Sequence, residues 1–206
     1  MSHSALDVKV RTRVPFNVGR RSDIPAEMVS FSGLNSGDEH VAVIFGHADR
    51  KQVTPLVRIH SECLTGDVFG SSRCDCGEQL NEAIEDMGKN GGIILYMRQE
   101  GRGIGLYNKL DAYELQIKGI DTYSANNQLG FADDLRDFEE AALMLKALNV
   151  SQLKLLSNNP KKKAALELHG IKVPETQSTG VYQKIDNHYY LRTKVLKGSH
   201  KIEIKD

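Results

Sequence analysis

The chain has 206 residues, 40% hydrophobic and 26% charged, with 27 basic side chains balanced by 27 acidic ones. That is enough for one domain with a substantial core, and the composition excludes large-scale disorder. A neutral total leaves no electrostatic footprint for long nucleic acid. No apolar run reaches membrane-spanning length, and the opening MSHSALDVKVRTR has no apolar signal core. Reduced thiols beside acidic and basic residues predict a cytoplasmic setting.

Residues 1 to about 37 carry Pro15, Gly19, Pro25, Gly33 and Gly37 and read as short strands and turns. Val41–Phe45 predicts a buried strand. Val53–His60 predicts another, with Pro55 near its start, where a strand tolerates proline best. Alternation in that strand sets Arg58 and His60 on one face, Val57 and Ile59 on the other. From Glu78, helical spacing of Leu80, Ala83, Ile84 and Met87 predicts a helix that Gly88–Gly92 ends. Gly92–Tyr96 reads as a buried strand running into Arg98–Gly105. A helix follows with Leu106, Leu110, Tyr113 and Ile117 on one face and Gly119 as its stop.

A second long helix is expected from about Leu135 to Leu148, with Phe138, Ala141, Ala142, Leu145 and Leu148 inward. Asp133, Asp134 and Asp137 at its start fit capping and helix-dipole roles. Leu153–Leu156 is a strand, Asn159-Pro160 opens a helix, and Gly170 ends it before a short strand Ile171–Val173. Residues 187–206 are polar and read as a packed tail or a partner-binding arm. Strands alternating with helices predict an α/β fold. We expect a single compact domain with a mixed sheet and flanking helices, strand-rich in its N-terminal part.

All three cysteines, Cys63, Cys74 and Cys76, lie between Arg58 and Cys76. An odd count argues against a pure disulfide framework. Two readings stay open: small buried hydrophobes, or thiolate ligands of a metal. Cys74-Asp75-Cys76 puts two thiols on a tight turn, and the loop through Gly66, Gly70 and Ser71-Ser72 can return Cys63 to them. Three protein ligands would leave a position for water or substrate. A fourth from His60 or Glu62 would close the site and make it structural.

Two stretches read as anion sites. Gly101, Gly103 and Gly105 offer backbone amides between a strand and a helix, and Arg102 adds a guanidinium. Ser157-Asn-Asn-Pro-Lys-Lys-Lys163 starts another helix with a hydroxyl and ammonium groups. Lys161 and Lys163 in it read as solvated charges. Strand ends in α/β sheets face one crevice, so the two sites are expected to converge on one polyphosphate.

RIHSECLTGD, RCDCGEQL, RQEGRGIGL, NNQLGFADDLRDF and LLSNNPKK, in that order, resemble GTP cyclohydrolase II. The blocks fall between residues 40 and 175, with a weaker echo in 187–194. The resemblance implies a hydrolase that opens the imidazole ring of GTP in the first step of riboflavin biosynthesis. Formate and pyrophosphate leave, and 2,5-diamino-6-(5-phosphoribosylamino)pyrimidin-4(3H)-one remains. It also implies one zinc per chain, magnesium with the triphosphate, and a homodimer. Its domain layout is a divergent segment 1–40, a catalytic core 41–175 and a C-terminal tail 176–206.

Carried over by position, Cys63, Cys74 and Cys76 match the zinc ligands. Arg58, Ile59, His60, Ser61, Glu62, Gln79, Glu100, Gly101, Arg102, Thr122, Ser157 and Lys162 match GTP contacts. Asp134 matches the proton acceptor, Arg136 the nucleophile towards the α-phosphorus, and Tyr113 a tyrosine near the reacting base. A guanidinium stays protonated, so transition-state charge stabilisation is a second role open to Arg136. Ser157 replaces the family's usual threonine and keeps the hydroxyl. Three thiolates push charge onto zinc and weaken its acidification of water. A neighbouring group should compensate, with Tyr113 or Glu62 as candidates. Two other readings are a paralogue that retains the formyl group and a zinc-stabilised nucleotide-binding module without turnover. Intact Tyr113, Asp134, Arg136 and the cysteines speak against the module.

Overall fold

Seven strands form one mixed sheet. In the computed structural model, which describes residues 7–50, 53–120, 122–132, 134–196 and 202, the first three strands make an antiparallel meander. They are Lys9–Val18 (β1), Ile24–Ser32 (β2) and Val41–Phe45 (β3). The sheet continues through Gly92–Met97 (β5), Leu56–Ser61 (β4), Gln152–Leu156 (β6) and Lys172–Gln177 (β7), in the order β3-β5-β4-β6-β7. β3 meets β5 antiparallel, and the pairs β5-β4, β4-β6 and β6-β7 are parallel.

The N-terminal strands are longer than the sequence predicts. Pro15 lies on the edge strand β1 and Pro25 at the start of β2, positions that tolerate a residue without an N–H. β4 begins at Leu56, after Pro55, and excludes Val53. The alternation within it holds. Val57 and Ile59 pack with Ile93, Leu95 and Met97 of β5 against helix Glu139–Ala147 (α5) and helix Pro160–Leu168 (α6). Arg58 and His60 point to the opposite face. There Phe45, Ile94, Ala83 and Met87 form a second cluster against helix Cys76–Asn90 (α2). Each such aliphatic side chain, fully buried, contributes about 1.5–3 kcal/mol.

Three expected helices change. α2 begins at Cys76 rather than Glu78 and runs through Gly88 to Asn90. A Cβ on Gly88 would lie 2.6 Å from the Ile24 side chain, so this glycine marks where the helix packs on β2 rather than where it stops. α5 begins at Glu139, not Leu135. The Asp137 carboxylate accepts the Glu139 N–H at 2.9 Å, while the Leu135 N–H donates to the Arg102 carbonyl and pulls the preceding residues out of helix.

Helix Leu106–Ile117 (α3) has the expected span, but its buried residues are Lys109 and Ala112. Leu110 and Ile117 are exposed, because the inward face serves a polar cavity. The remaining helices are Leu64–Asp67 (α1), Thr122–Gln128 (α4) and His188–Leu196 (α7). The chain leaves β4 for β5 on one side and returns to β6 on the other. That reversal opens a crevice beyond the C-terminal ends of these three strands.

Candidate active site

The three thiols come together in that crevice. Cys63 precedes α1, Cys74 lies in the turn before α2, and Cys76 is the first residue of α2. Their sulfurs lie within 4.8 Å of one another, with Cys63 Sγ and Cys74 Sγ 3.6 Å apart. Sulfurs around a tetrahedral zinc, at about 2.3 Å from the metal, stand about 3.8 Å apart. A Cβ on Gly66 would meet Cys74 Sγ at 2.7 Å and Cys63 Sγ at 3.2 Å, so only glycine lets the loop close over the cluster.

Hydrogen bonds from Cys74 and Cys76, with the nearby Lys109 ammonium, hold the Cys63 thiol far below its ordinary range. Its hydrogen bond to Cys63 and its burial push Cys74 up to about 11, and the same causes raise Cys76. The cluster therefore favours a single negative charge. A bound divalent cation is what would let all three thiols ionise together. Neither predicted closing ligand faces this cluster. His60 Nε2 lies 3.0 Å from Asp67 Oδ2, and Glu62 accepts from Arg98 Nε at 2.8 Å. The residues thus fit a three-thiolate metal with one position open.

Cations line the same cavity. Lys162, at the start of α6, donates to the Ile59 carbonyl at 2.6 Å. Arg58 donates to Gln79 Oε1 at 3.1 Å and lies 3.3 Å from His60 Nδ1. Both are buried, and among the described residues no carboxylate forms an ion pair with either. Burial first, then Arg136, Arg58 and Lys194, push the Lys162 pKa well down. Arg136 is held differently. Its Nε and Nη2 grip the two oxygens of Asp134, each at 2.8 Å, and Nη1 reaches Ser61 Oγ at 3.4 Å. Asp134 therefore orients a guanidinium rather than capping a helix.

The cavity brings together Arg58, His60, Ser61, Glu62, the three cysteines, Gln79, Glu100, Gly101, Arg102, Tyr113, Arg136 and Lys162. Ser157 lines a smaller adjoining cavity shared with Arg58, Gln79 and Lys162. The side chain of Ile59 is in the core, so only its main chain faces the site. Thr122 begins α4, and its side chain lies outside the described residues.

Two amides of the glycine turn already have partners within the chain. The Gly101 N–H donates to Glu100 Oε1 and the Gly105 N–H to the Glu100 carbonyl, so both are used inside the turn. Gly101, Arg102 and Gly103 all have positive φ, an arrangement that is strained at the arginine. Glu100 itself accepts from the Leu64 N–H and from Lys109 Nζ, bracing the thiol loop.

Comparison with known proteins decides the family. Residues 9–178 match the family model described as GTP cyclohydrolase II. The chain is 62% identical over 193 residues to a GTP cyclohydrolase-2 of Aliivibrio fischeri, covering 94% of this chain and 96% of that protein. It is 61% identical over 196 residues to the GTP cyclohydrolase-2 of Vibrio cholerae, covering 95% and 99%. A riboflavin biosynthesis protein RibBA of Bacillus cytotoxicus is 48% identical over 187 residues, which make up 88% of this chain and 47% of that protein.

The chain belongs to the GTP cyclohydrolase II family.

It resembles the monofunctional members, and these are hydrolases. Family motifs carried the sequence reading to the residues that line the cavity, but several neighbours in the site fell outside those motifs' assigned roles. Lys109 and Asp67 were missed, although Lys109 stands one turn before Tyr113 on α3. Residues 187–196, expected to be a polar tail, fold largely as α7 and turn Tyr190 and Lys194 into the cavity. Lys194 is fixed there by Asp75 at 2.8 Å and lies 4.5 Å from the Tyr190 ring centre. The i, i+4 spacing of Tyr190 and Lys194 was the available signal.

Proposed function

We propose that this protein opens the imidazole ring of GTP in the first step of riboflavin biosynthesis. Carbon 8 leaves as formate and the β,γ-phosphates as pyrophosphate, giving 2,5-diamino-6-(5-phosphoribosylamino)pyrimidin-4(3H)-one. The observation that carries this reading is one cavity lined both by three clustered thiols and by two buried cations, Arg58 and Lys162, that pair with no carboxylate among the described residues. A purine triphosphate calls for both. An electron-poor ring carbon needs an activated water, and a polyanion needs cations.

Zinc held by Cys63, Cys74 and Cys76 would supply Lewis acidity for attack by water at C8. The chain's own groups do the rest. Lys162 and Arg58 bind phosphate oxygens, which supply the countercharge that their burial calls for. Arg136, kept charged and oriented by Asp134, stabilises charge developing at the α-phosphorus. That fixed, protonated fork favours stabilisation over a nucleophilic role. Burial raises the Tyr113 hydroxyl, so it stays protonated at neutral pH and donates a hydrogen bond towards the reacting base. Magnesium enters with the triphosphate.

A homodimer belongs to the same reading. Tyr107, Leu110 and Ile117, exposed along α3, offer apolar surface for association. A cytoplasmic site of action follows from the soluble substrate. No helix among the described residues is long and apolar enough to cross a membrane.

Incubation with GTP and Mg²⁺, with formate and pyrophosphate assayed separately, tests the proposal. Equal release of both is expected. Ring opening without formate would indicate a formyl-retaining enzyme, and release of neither would reduce the protein to a binding module.

A further inference from the structure

Lys109 is a buried ammonium that the reaction outlined above does not use. Its Nζ lies 3.2 Å from Cys63 Sγ, 2.8 Å from Glu100 Oε1 and 3.1 Å from Thr65 Oγ1. An ammonium has three N–H donors, and here each has an acceptor. Holding such a charge out of water is costly unless it neutralises something. Glu100 accounts for part of that, but its two oxygens also serve the N–H groups of Leu64 and Gly101. A Lys–Glu pair that only braced the loop would gain nothing from lying against sulfur.

We propose that Lys109 is a positioning residue for the thiolate centre, donating a charge-assisted N–H···S bond to Cys63 that withdraws electron density from the sulfur. The inference rests on the zinc reading above. Three thiolates and a divalent ion carry a net negative charge, which blunts the electrophilicity the reaction needs. An ammonium on one sulfur offsets that charge. Neither group expected from the sequence to compensate supplies a cation. Glu62 is an anion already paired with Arg98, and Tyr113 is a neutral phenol whose ring centre lies 5.5 Å from the same Nζ. Lys109 reaches Cys63 from α3, at a distance of 46 residues in sequence, so the contact exists only when the site is assembled.

The test loads wild type, Lys109→Met, Lys109→Gln and Lys109→Arg with Co²⁺ in place of zinc. Affinity is measured by chelator competition, and the sulfur-to-cobalt charge-transfer absorption is recorded alongside. Lys109→Met is expected to bind cobalt about 10–100-fold more weakly, the usual effect of losing a partner behind a metal ligand. Its absorption should move to longer wavelength, because a sulfur relieved of the hydrogen bond gives up electron density more easily. Lys109→Arg should keep the wild-type band. If Lys109→Met does not fold by circular dichroism, Lys109→Gln carries the test, with a smaller shift in the same direction. A wild-type band position and affinity in the neutral variant would overturn the inference and leave the zinc reading intact. Absence of any thiolate-to-cobalt band in wild type would overturn both.

Discussion

Asp67 and His60 are locked together beneath the thiol cluster, His60 Nε2 lying 3.0 Å from Asp67 Oδ2 with each side chain only 3% exposed. Asp67 also accepts from Tyr96 Oη at 2.9 Å and from the Cys63 N–H at 3.0 Å. Burial keeps the imidazole neutral, so its single proton sits on Nε2 facing the carboxylate. The Nδ1 lone pair is then free to accept from Arg58 Nη2. Asp67 thereby aims a cation it does not touch.

Asp67→Asn should disturb this relay. Asparagine leaves one acceptor oxygen for the His60, Cys63 and Tyr96 donors and sets an NH2 beside the ring, which favours the other tautomer and turns Nδ1–H against the guanidinium. We expect the KM for GTP to rise by about tenfold or more, with a stability loss of about 1–3 kcal/mol. Imidazole ¹⁵N shifts and steady-state kinetics check this together. An unchanged tautomer with an unchanged KM would show that Asp67 is only a structural acceptor.

Lys162 should destabilise the free protein and bind the substrate. Its folded pKa lies well below the ordinary 10.5, so the unfolded chain binds more protons between the two values. The penalty is full below the folded pKa and fades as pH rises from there towards 10.5. Lys162→Met should therefore raise the melting temperature of the free protein at neutral pH, with the gain shrinking at alkaline pH. The same change should weaken GTP binding by about 2–5 kcal/mol. Lys161 is exposed and Lys163 is half-exposed near Glu167, so their alanine variants should shift binding by less than about 1 kcal/mol. Calorimetry on all three would settle the contrast, and equal effects would point to a diffuse basic patch.

Metal removal should separate activity from fold. The thiols sit at the edge of two hydrophobic clusters that do not include them, so the fold has its own core. Dialysis against a strong chelator is expected to abolish formate release while far-UV circular dichroism stays largely unchanged. Global unfolding on metal loss would mean that the centre is structural.

Periodicity located five of the seven strands, β3 to β7, and the inward face of α5, because buried aliphatic side chains dominate those stretches. It misjudged α3, whose inward face is Lys109 and Ala112, since a helix lining a polar cavity buries its polar side. It also extended α5 over Leu135–Asp137, where a side-chain pair, Arg136 with Asp134, overrides local helix preference. The thiol cluster was legible from spacing within 14 residues. Its Lys109 and Glu100 supports come from 24 to 46 residues away, and no local pattern announces them. The glycine turn shows a related effect, since its Gly101 and Gly105 amides donate to Glu100, which no local pattern announces.

Phosphate chemistry and ring chemistry should be separable by mutation. Arg136 presents Nη1 towards Ser61 and the cavity while Asp134 holds its other edge, and the cysteines line the same cavity. If Arg136 acts at the α-phosphorus and the thiols act at C8, mutation should part the two products. Cys74→Ser removes a soft ligand and should stop formate release, yet pyrophosphate should still appear if phosphorus attack does not wait for ring opening. Arg136→Lys keeps the charge but loses the planar fork that Asp134 grips, so pyrophosphate release should fall by about 100-fold or more. Separate formate and pyrophosphate assays on both variants read the outcome. Wild-type pyrophosphate release from Arg136→Lys would rule out the nucleophile and the bidentate-stabiliser roles together. Loss of both products from Cys74→Ser would make ring attack the first step, or would mean that the metal also organises the triphosphate, and the thiols and the cations would then work as one centre.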